Sequence, residues 1–244
     1  MAIYNARYPR EPITVYVLRK VYQQHMIRNK KVRKRKTITL LQEPKILKEA
    51  QEAKKSLNEA KQLGYKIIYA DEFCTTRNTL LTHSWSLKNE PLQVDYILLD
   101  EKTIASIVCI SEEDGLDLLM NFPKSVNSSK FIDFLRELRD QQPDADLAIF
   151  MDRLNVHRSH RVQHVMDELG ILRILNSSYS PNHNPIEGVI GVIKNELKRQ
   201  RTHEIAHGNK PDLHQMLENI GANISKEVCV KFIVKSNYIL NQVQ

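Results

Sequence analysis

The apolar positions in the first quarter of the chain repeat with the spacing of α-helices. Between Ile13 and Ile27 they fall three or four residues apart, which places them on one side of a helix. A second helical pattern begins at Pro44 and stops at Gly64, and proline in the first turn with glycine after the last turn is typical of helix ends. The remaining positions of this second helix are rich in Lys, Glu and Gln, so we expect it to lie on a surface or to connect two parts of the chain.

Short apolar runs replace the helical spacing after Tyr65 and predict buried strands. The predicted strands are Lys66–Glu72, Thr79–Trp85, Val94–Leu99, Thr103–Ile110, Leu116–Met120, Leu147–Met151 and Ile171–Leu175. The predicted helices are Asn127–Asp140, Ser159–Leu169, Ile186–Arg201, Pro211–Ser225 and Lys226–Gln244. A run of strands followed by strands that alternate with helices predicts an α/β fold with a mixed sheet flanked by helices.

Positive charge is concentrated near the N-terminal end. The 244 residues include 36 Lys and Arg against 29 Asp and Glu, a formal net charge of +7. Eleven of the basic residues but only one acid, Glu11, precede residue 37, which leaves 25 basic and 28 acidic residues in the rest of the chain. Such a basic arm is expected to bind a polyanion such as double-stranded DNA, or to act as an import signal. The phosphate contacts predicted within it are Lys30, Lys31, Arg33, Lys34, Arg35 and Lys36.

Composition excludes several classes of protein. No stretch has the roughly 18 uncharged apolar residues that a membrane span needs, and the first residues lack the apolar segment of a secretory signal. The cysteines Cys74, Cys109 and Cys229 are too few and too far apart for a disulfide framework or a CxxC-type zinc site. We therefore expect an intracellular protein with no membrane partner.

Three acids stand where the predicted elements favour a site. Asp71 and Asp152 each follow an apolar strand core, and strand ends in α/β sheets open into a crevice. Glu187 falls in the first turn of a predicted helix, with Asn184 as its expected N-cap and Pro185 as its first residue. Each acid also has a purely structural interpretation, because Asp commonly occupies turns and the stretch from Asn184 to Glu187 matches a capping box.

The helix predicted from Ile186 has a face with charged residues at helical spacing. Glu187, Gly191, Lys194 and Lys198 follow one another at intervals of three and four. An acid, two lysines and a glycine that permits close approach suit a surface that binds metal and phosphate. Lys194 and Lys198 are therefore predicted to contact DNA phosphates.

Three sequence blocks resemble the catalytic domain of mariner-like DDE transposases. They are YADE at 69–72, MDRLNVHRS at 151–159 and YSPNHNPIEGVIGVIK at 179–194. The 34 residues between Asp152 and Glu187 have the spacing typical of that superfamily, and HSWSLKNEP at 83–91 resembles a strand that its members have between the first two acids. The resemblance extends from about Thr14 to about Arg201, which is most of the chain.

This resemblance implies a ribonuclease H-like sheet at whose edge Asp71, Asp152 and Glu187 converge. The three acids would bind two Mg²⁺ or Mn²⁺ ions, hard cations that prefer oxygen ligands, and would catalyse DNA cleavage and strand transfer at transposon ends. The residues implied to support these ligands or to contact DNA are Asn155, His157 and Asn184.

The family also implies partners and a domain order. Double-stranded DNA, as transposon ends and as target, would be bound by a homodimer, located in the nucleus of a eukaryotic host or otherwise in the cytoplasm or nucleoid. The expected parts are a basic arm with a helix-turn-helix remnant at 1–36, a linker helix at 37–64, a catalytic domain at 65–205 and C-terminal helices at 206–244. The family's aromatic residue after the third acid is replaced by Ile190, an apolar packing change that leaves the metal site intact. The family's longer N-terminal DNA-binding modules are reduced to the remnant, so we expect a truncated or degenerate copy.

Two alternatives remain open at this level. One is a transposase-derived protein that binds DNA through its basic arm without cleaving it. The other is a zinc protease, since His203-Glu204-Ile205-Ala206-His207 is a literal HExxH motif. The motif is followed at once by Gly208 and lies in a polar stretch, which does not favour a buried catalytic helix.

Overall fold

The computed structural model describes residues 13–25, 43–76, 78–81 and 103–243. The chain divides into two compact units, residues 1–39 and 40–244. In the first unit, helix α1 spans Val15–Gln24, and Thr14 caps it by accepting a hydrogen bond from the Val17 amide at 3.3 Å. This confirms the first predicted helix with shorter bounds. The basic run Arg28–Lys36 and the predicted strand Val94–Leu99 lie outside the described residues, and the helix-turn-helix remnant stays a prediction.

The second unit consists of five strands and six α-helices among the described residues. The strands are β1 (Lys66–Thr75), β2 (Ile104–Ser111), β3 (Gly115–Pro123), β4 (Leu147–Met151) and β5 (Ile171–Leu175). The helices are α2 (Glu43–Gln62), α3 (Ser128–Gln141), α4 (His160–Glu168), α5 (Ile186–Ala206), α6 (Leu213–Ala222) and α7 (Lys226–Asn241). A 3₁₀ turn at Pro181–His183 precedes α5. None of the described helices is both long and apolar enough to cross a bilayer.

The strands form one mixed sheet in the order β3-β2-β1-β4-β5. β1, β2 and β3 pair antiparallel, whereas β1, β4 and β5 pair parallel, so the prediction of a mixed sheet is confirmed. The parallel pairing of β1 with β4 ends at Tyr69 and Phe150, but the antiparallel pairing of β1 with β2 continues to Thr75 and Ile104. On its β4 side, β1 therefore extends beyond the last paired residues.

Each face of the sheet is covered by helices. Alternate strand residues point to opposite faces, so both faces carry apolar side chains that the helices bury. One face packs against α3 and α4, which bury Phe131, Leu135 and Val162. The other face packs against α2, α5, α6 and α7. The buried residues of these four helices on that face include Ala53, Leu57, Ala60, Ile186, Ile193, Leu197, Leu213, Leu217, Cys229 and Ile233. The C-terminal helices and the predicted linker helix α2 thus contribute to the same core as the strands, and a linker role for α2 stays a prediction.

Three predicted boundaries change. Thr79–Leu81, predicted to begin a strand, is not a strand; the guanidinium of Arg201 donates to the carbonyls of Thr76 and Thr79 instead, and the rest of that prediction lies outside the described residues. β1, predicted to end with the acids Asp71 and Glu72, continues to Thr75, because the pairing with β2 continues after the pairing with β4 stops. Helix α5 extends to Ala206 and includes most of the HExxH motif.

Candidate active site

The first acid lies on the half of β1 that has lost its β4 neighbour. Asp71 points to the face covered by α5, on the same side as the core residues Tyr69 and Phe73. The next residue, Glu72, therefore points to the opposite face, towards α3 and α4. The two side chains remain linked by the backbone, because the Glu72 amide donates to Asp71 Oδ1 at 2.8 Å.

The second acid, Asp152, directly follows the last residue of β4. The Met151 carbonyl still accepts a hydrogen bond from the Asn176 amide at 2.8 Å, which holds the strand end against the segment after β5. The Asp152 side chain is 38% exposed, and its Oδ1 accepts from the Leu154 amide at 3.1 Å. The strand end predicted from the sequence is therefore confirmed for this acid.

A buried histidine joins the two strands beyond the last paired residues. His157 is 1% exposed, and its Nδ1 lies 2.9 Å from Asp152 Oδ1 while its Nε2 lies 2.7 Å from Glu72 Oε1. Burial by itself lowers the pKa of His157, but hydrogen bonds to the two carboxylates outweigh it and raise the pKa to about 10. The ring thus donates from both nitrogens. Asn155, in contrast, is exposed on the connecting turn.

The segment before α5 differs from the prediction. The N-cap is Pro185, which makes no side-chain cap, and not Asn184. Asn184 instead follows the 3₁₀ turn and is buried, with its Nδ2 3.5 Å from Asp71 Oδ2. The predicted capping box is therefore wrong, since the amide that would have capped the helix points to the first acid. Glu187 does lie in the first turn of α5, and it is exposed.

The acids influence one another electrostatically. Burial and the charges of Asp152, Glu72 and Glu187 together raise the pKa of Asp71 to about 7, against the lowering effect of the Glu72 amide. The structure therefore brings all three predicted acids into the same electrostatic neighbourhood. Their mutual repulsion is what a bound cation would relieve.

Lys194 and Lys198 lie on α5, the helix whose first turn holds Glu187, and Lys194 contacts the strand that contains Asp71. Lys194 Nζ is 5.3 Å from the ring centroid of Phe73, two residues beyond Asp71 on the same strand face. Lys198 is half-buried one turn further on. Gly191 has open space where a Cβ would stand, whereas a Cβ at Gly188 would collide with the ring of Phe232 on α7. Gly188 is thus the glycine that close packing between the helices requires, and Gly191 leaves the surface next to the lysines open.

Sequence reasoning missed three contributors to this region. Glu72 was visible only as the neighbour of Asp71. Glu49 of α2 is 7% exposed and accepts from the Ser178 amide at 2.9 Å, and Arg153 Nε lies 3.6 Å from the same carboxylate oxygen. A usable signal was present, because Glu49 falls in register with Ala53 and Leu57 on the buried stripe of an otherwise polar helix.

The side chains at this edge match the chemistry of hard divalent cations. They offer carboxylate and amide oxygens, which Mg²⁺ and Mn²⁺ prefer. Two buried oxygens, Glu72 Oε2 and Asn184 Oδ1, have no hydrogen-bond partner among the described residues. Among the described residues, no three His, Cys, Asp or Glu side chains are spaced so that they could together hold a metal ion.

The HExxH motif forms no comparable site. His203 and Glu204 lie on the last turn of α5 with side chains 67% and 41% exposed, and the rings of His203 and His207 are 4.2 Å apart. A catalytic zinc ion needs three protein ligands, and within the described part of the chain no third ligating side chain completes a set there. The geometry does not support the protease alternative.

Comparison with known proteins agrees with this geometry. Residues 66–207 match the model of a family described as DDE superfamily endonuclease. The fold is similar to that of the Mos1 transposase paired-end complex with left transposon end, with a TM-score of 0.64 at 13% identity over 93% of this chain and 68% of that one. The Mos1 mariner paired-end complex with Mn gives a TM-score of 0.61 at 14% identity over 92% and 69% of the two chains.

A shorter solved structure agrees as well. The catalytic domain of Mos1 mariner transposase matches with a TM-score of 0.57 at 14% identity, covering 85% of this chain and 94% of that one. At these identities the likeness shows the fold, and it confirms the ribonuclease H-like architecture predicted from the sequence. No curated protein matches the chain.

Proposed function

The chain belongs to the DDE superfamily of endonucleases, and we propose that it is a mariner-like transposase that cleaves DNA and transfers strands with divalent metal ions. The observation that supports this most directly is the convergence of Asp71, Asp152 and Glu187. Asp152 and Glu187, which are remote from Asp71 in the sequence, lie close enough for their charges to raise the pKa of Asp71, at a sheet edge where a cation would stabilise the ionised form. The solved Mos1 complexes are named for a transposon end and for Mn or Mg, which fits the same chemistry.

We assign cation binding to the carboxylates of Asp71, Asp152 and Glu187, with the oxygen of Asn184 beside them. When bound, a pair of Mg²⁺ or Mn²⁺ ions supplies Lewis acidity for the attacking and leaving oxygens of a phosphodiester. The residues of the chain orient that chemistry. Asn184 fixes the direction of the Asp71 carboxylate, and the hydrogen bonds from Leu154 and His157 fix that of Asp152.

Double-stranded DNA is the proposed substrate, both as element ends and as target. Lys194 and Lys198 on α5 provide positive charge next to the acids, and the basic run at 28–36 would add phosphate contacts outside the described residues. Each neutralised phosphate releases counterions, so binding should weaken as salt rises. A homodimer that acts on paired ends is part of the same proposal.

A cleavage assay tests the proposed reaction. A labelled duplex that contains the genomic repeats flanking the element is incubated with the full chain in Mg²⁺, Mn²⁺ or EDTA. We expect strand cleavage that requires metal and that falls by at least about 1000-fold in Asp152→Asn, equivalent to about 4 kcal/mol of transition-state stabilisation. Asp140→Asn, an exposed acid at the far end of α3, is the matched control and should cleave as wild type does.

The outcomes separate the alternatives. Cleavage that survives Asp152→Asn would contradict the assigned site. Salt-dependent binding of the duplex without cleavage in either metal would contradict the enzyme and favour the DNA-binding alternative.

A further inference from the structure

Backbone hydrogen bonds no longer join β1 to β4 where Asp71 and Asp152 stand, although β1 stays paired with β2 there. β4 pairs with β1 only as far as Phe150 and Tyr69, two residues before Asp152 and Asp71. Beyond that point, no main-chain ladder holds the Asp152 carboxylate at a fixed position relative to β1. Some other contact must set the relative position of the two acids.

The side chain of His157 makes that contact. Its ring lies between Asp152 Oδ1 and Glu72 Oε1, at 2.9 and 2.7 Å. It therefore bridges the end of β4 and the part of β1 that is no longer paired with β4. The ring is fixed from the sides as well, since it packs on Phe131 with 4.6 Å between ring centroids. The His157 carbonyl accepts from Arg173 Nη1 at 3.2 Å. A histidine bound at both nitrogens and packed on an aromatic ring has little freedom to rotate.

Glu72 is linked to both acids, directly to Asp71 and through His157 to Asp152, although its side chain points to the other face of the sheet. Its amide donates to Asp71 Oδ1 at 2.8 Å, and its carboxylate accepts from His157, which in turn donates to Asp152. The Glu72 side chain is 12% exposed, so little water competes for this bond. A single residue thus links the first and second acids, through its backbone on one side and its side chain on the other.

We propose that Glu72 and His157 are positioning residues that hold Asp152 at the distance and angle from Asp71 that a shared cation requires. The proposal rests on the proposed function, because it assumes that these acids bind metal. Glu72 is not itself assigned as a ligand. It orients the imidazole, and the imidazole orients the carboxylate, in the way that outer carboxylates orient metal ligands in other proteins.

Metal binding without DNA tests this directly. Mn²⁺ affinity of the full chain is measured by electron paramagnetic resonance of the free ion. Removal of an orienting partner typically weakens metal binding about 10- to 100-fold, and we expect Glu72→Ala to lie in that range. Glu72→Gln keeps an oxygen that accepts from Nε2, so its affinity should stay within about threefold of wild type, since the hydrogen bond that orients the ring is retained.

Two controls distinguish positioning from general stability. Tyr69→Phe removes another buried hydrogen bond from the same strand, to Asn237 Oδ1 at 3.2 Å, and should leave Mn²⁺ affinity unchanged. His157→Ala should weaken Mn²⁺ binding as much as Glu72→Ala does, and the double variant should be no worse than His157→Ala, because the two residues act as one chain. Equal affinities in Glu72→Ala and wild type, or additive losses in the double variant, would overturn the proposal.

One measurement uses the wild-type protein alone, so it does not depend on whether a substituted chain folds. In ¹⁵N-histidine-labelled chain, the imidazole N–H of His157 should give a downfield signal that exchanges slowly with solvent, because the ring is buried and held at both nitrogens. An imidazole N–H of His157 that exchanges as fast as that of an exposed histidine would overturn the bridge. If wild type binds no Mn²⁺ in a manner that depends on Asp152, the proposed function fails; if it binds but Glu72→Ala binds equally well, only the positioning role fails.

Discussion

Strand β1 has carboxylates near both of its ends, and the two groups differ in how their charge is compensated. At the start of the strand, Lys66 Nζ lies 2.5 Å from Asp114 Oδ2 and 2.7 Å from Asp117 Oδ1. Towards the other end, Asp71 and its neighbours Glu72, Asp152 and Glu187 lie close enough to repel one another. Among the described residues, the cationic partner of this group is His157, which pairs with Glu72 and Asp152.

The pKa values follow this difference. At the Lys66 end, a hydrogen bond from Lys66 lowers the pKa of Asp114, and although burial works against it, the two acids raise the pKa of Lys66. At the other end, burial and like charges raise the pKa of Asp71 to about 7. In the first cluster both acids are bonded to a cation of the chain, whereas in the second four acids lie together and His157 is bonded to two of them. This contrast supports the proposal that the second cluster binds an external cation.

Removal of the cation from the first cluster should have the largest effect on stability. The Asp117 side chain is fully buried, so Lys66→Met would leave it charged without its cation. We expect the free energy of unfolding to fall by about 3–5 kcal/mol, as measured by urea denaturation. Mn²⁺ affinity of the folded fraction should not change. A loss of metal affinity would show that the two ends of β1 are coupled and would weaken the contrast.

Removal of a negative charge from the other cluster should raise the free energy of unfolding instead of lowering it. Because the pKa of Asp71 is raised in the folded chain, the folded state keeps a proton that the unfolded state has released between about pH 4 and 7. The free energy of unfolding therefore falls as pH rises through this window. In EDTA at pH 8, Asp71→Asn should be more stable than wild type by about 1–3 kcal/mol, and the two should converge near pH 4.

The matched control for that experiment lies at the Lys66 end. Asp114 is exposed and bonded to Lys66, so Asp114→Asn should destabilise the chain by less than about 1 kcal/mol at pH 8. A gain of stability there, or a loss in Asp71→Asn, would contradict the assignment of excess charge to one end alone.

The sequence predicted the elements better than the contacts between them. The apolar pattern located β4 and α4 almost to the residue, since β4 is buried along its whole length and α4 buries one face. The same pattern could not show that β1 continues past Asp71, because that depends on where two different neighbours stop pairing. Register between strands remote in the sequence is set by tertiary packing, which local patterns do not report.

The candidate site shows the same division. The three acids were found from their spacing and from a family resemblance, but the orientation of Asn184 was misjudged because capping preferences are local rules. Its amide points to Asp71 instead of to the helix. His157 was placed near the site without a defined partner. Its partner, Glu72, is 85 residues away and reaches it only because a strand alternates its side chains between the faces of a sheet.

A third carboxylate, Glu49, tests whether the effect of an acid on stability depends on its position near the site or on its hydrogen bonds and ion pairs. Glu49 lies near the acids but accepts from the Ser178 amide and pairs with Arg153. Burial acts to raise its pKa, but the hydrogen bonds and the arginine outweigh this and lower it. Its contribution to stability is therefore present above about pH 4.5 and lost as pH falls below that. Glu49→Ala should cost about 1 kcal/mol at pH 7, measured by urea denaturation, and progressively less below pH 4.

Glu49→Ala thus sharpens the contrast, because an acid beside the site should behave like those at the Lys66 end. Glu59→Ala, an exposed acid on the same helix paired with Lys55 at 3.7 Å, is the control and should change stability by less than about 0.5 kcal/mol. If Glu49→Ala stabilised the chain, as Asp71→Asn is expected to, the position of an acid near the site would determine its effect on stability, and its hydrogen bonds and ion pair would not.

The smallest expected effect concerns the lysines next to the uncompensated acids. Lys194 is held over the ring of Phe73, two residues from Asp71 on the same strand, and no ion pair joins it to an acid in the described part of the chain. A lysine in that position is available to a DNA phosphate. Lys194→Gln should weaken duplex binding a few-fold for all sequences and reduce the slope of log affinity against log salt by about one, and Lys198→Gln should act in the same direction. Lys55→Gln is the control, because Lys55 pairs with Glu59 on the surface of α2, and it should leave the salt slope at the wild-type value. If Lys194→Gln also kept the wild-type slope, Lys194 would not contact DNA phosphates.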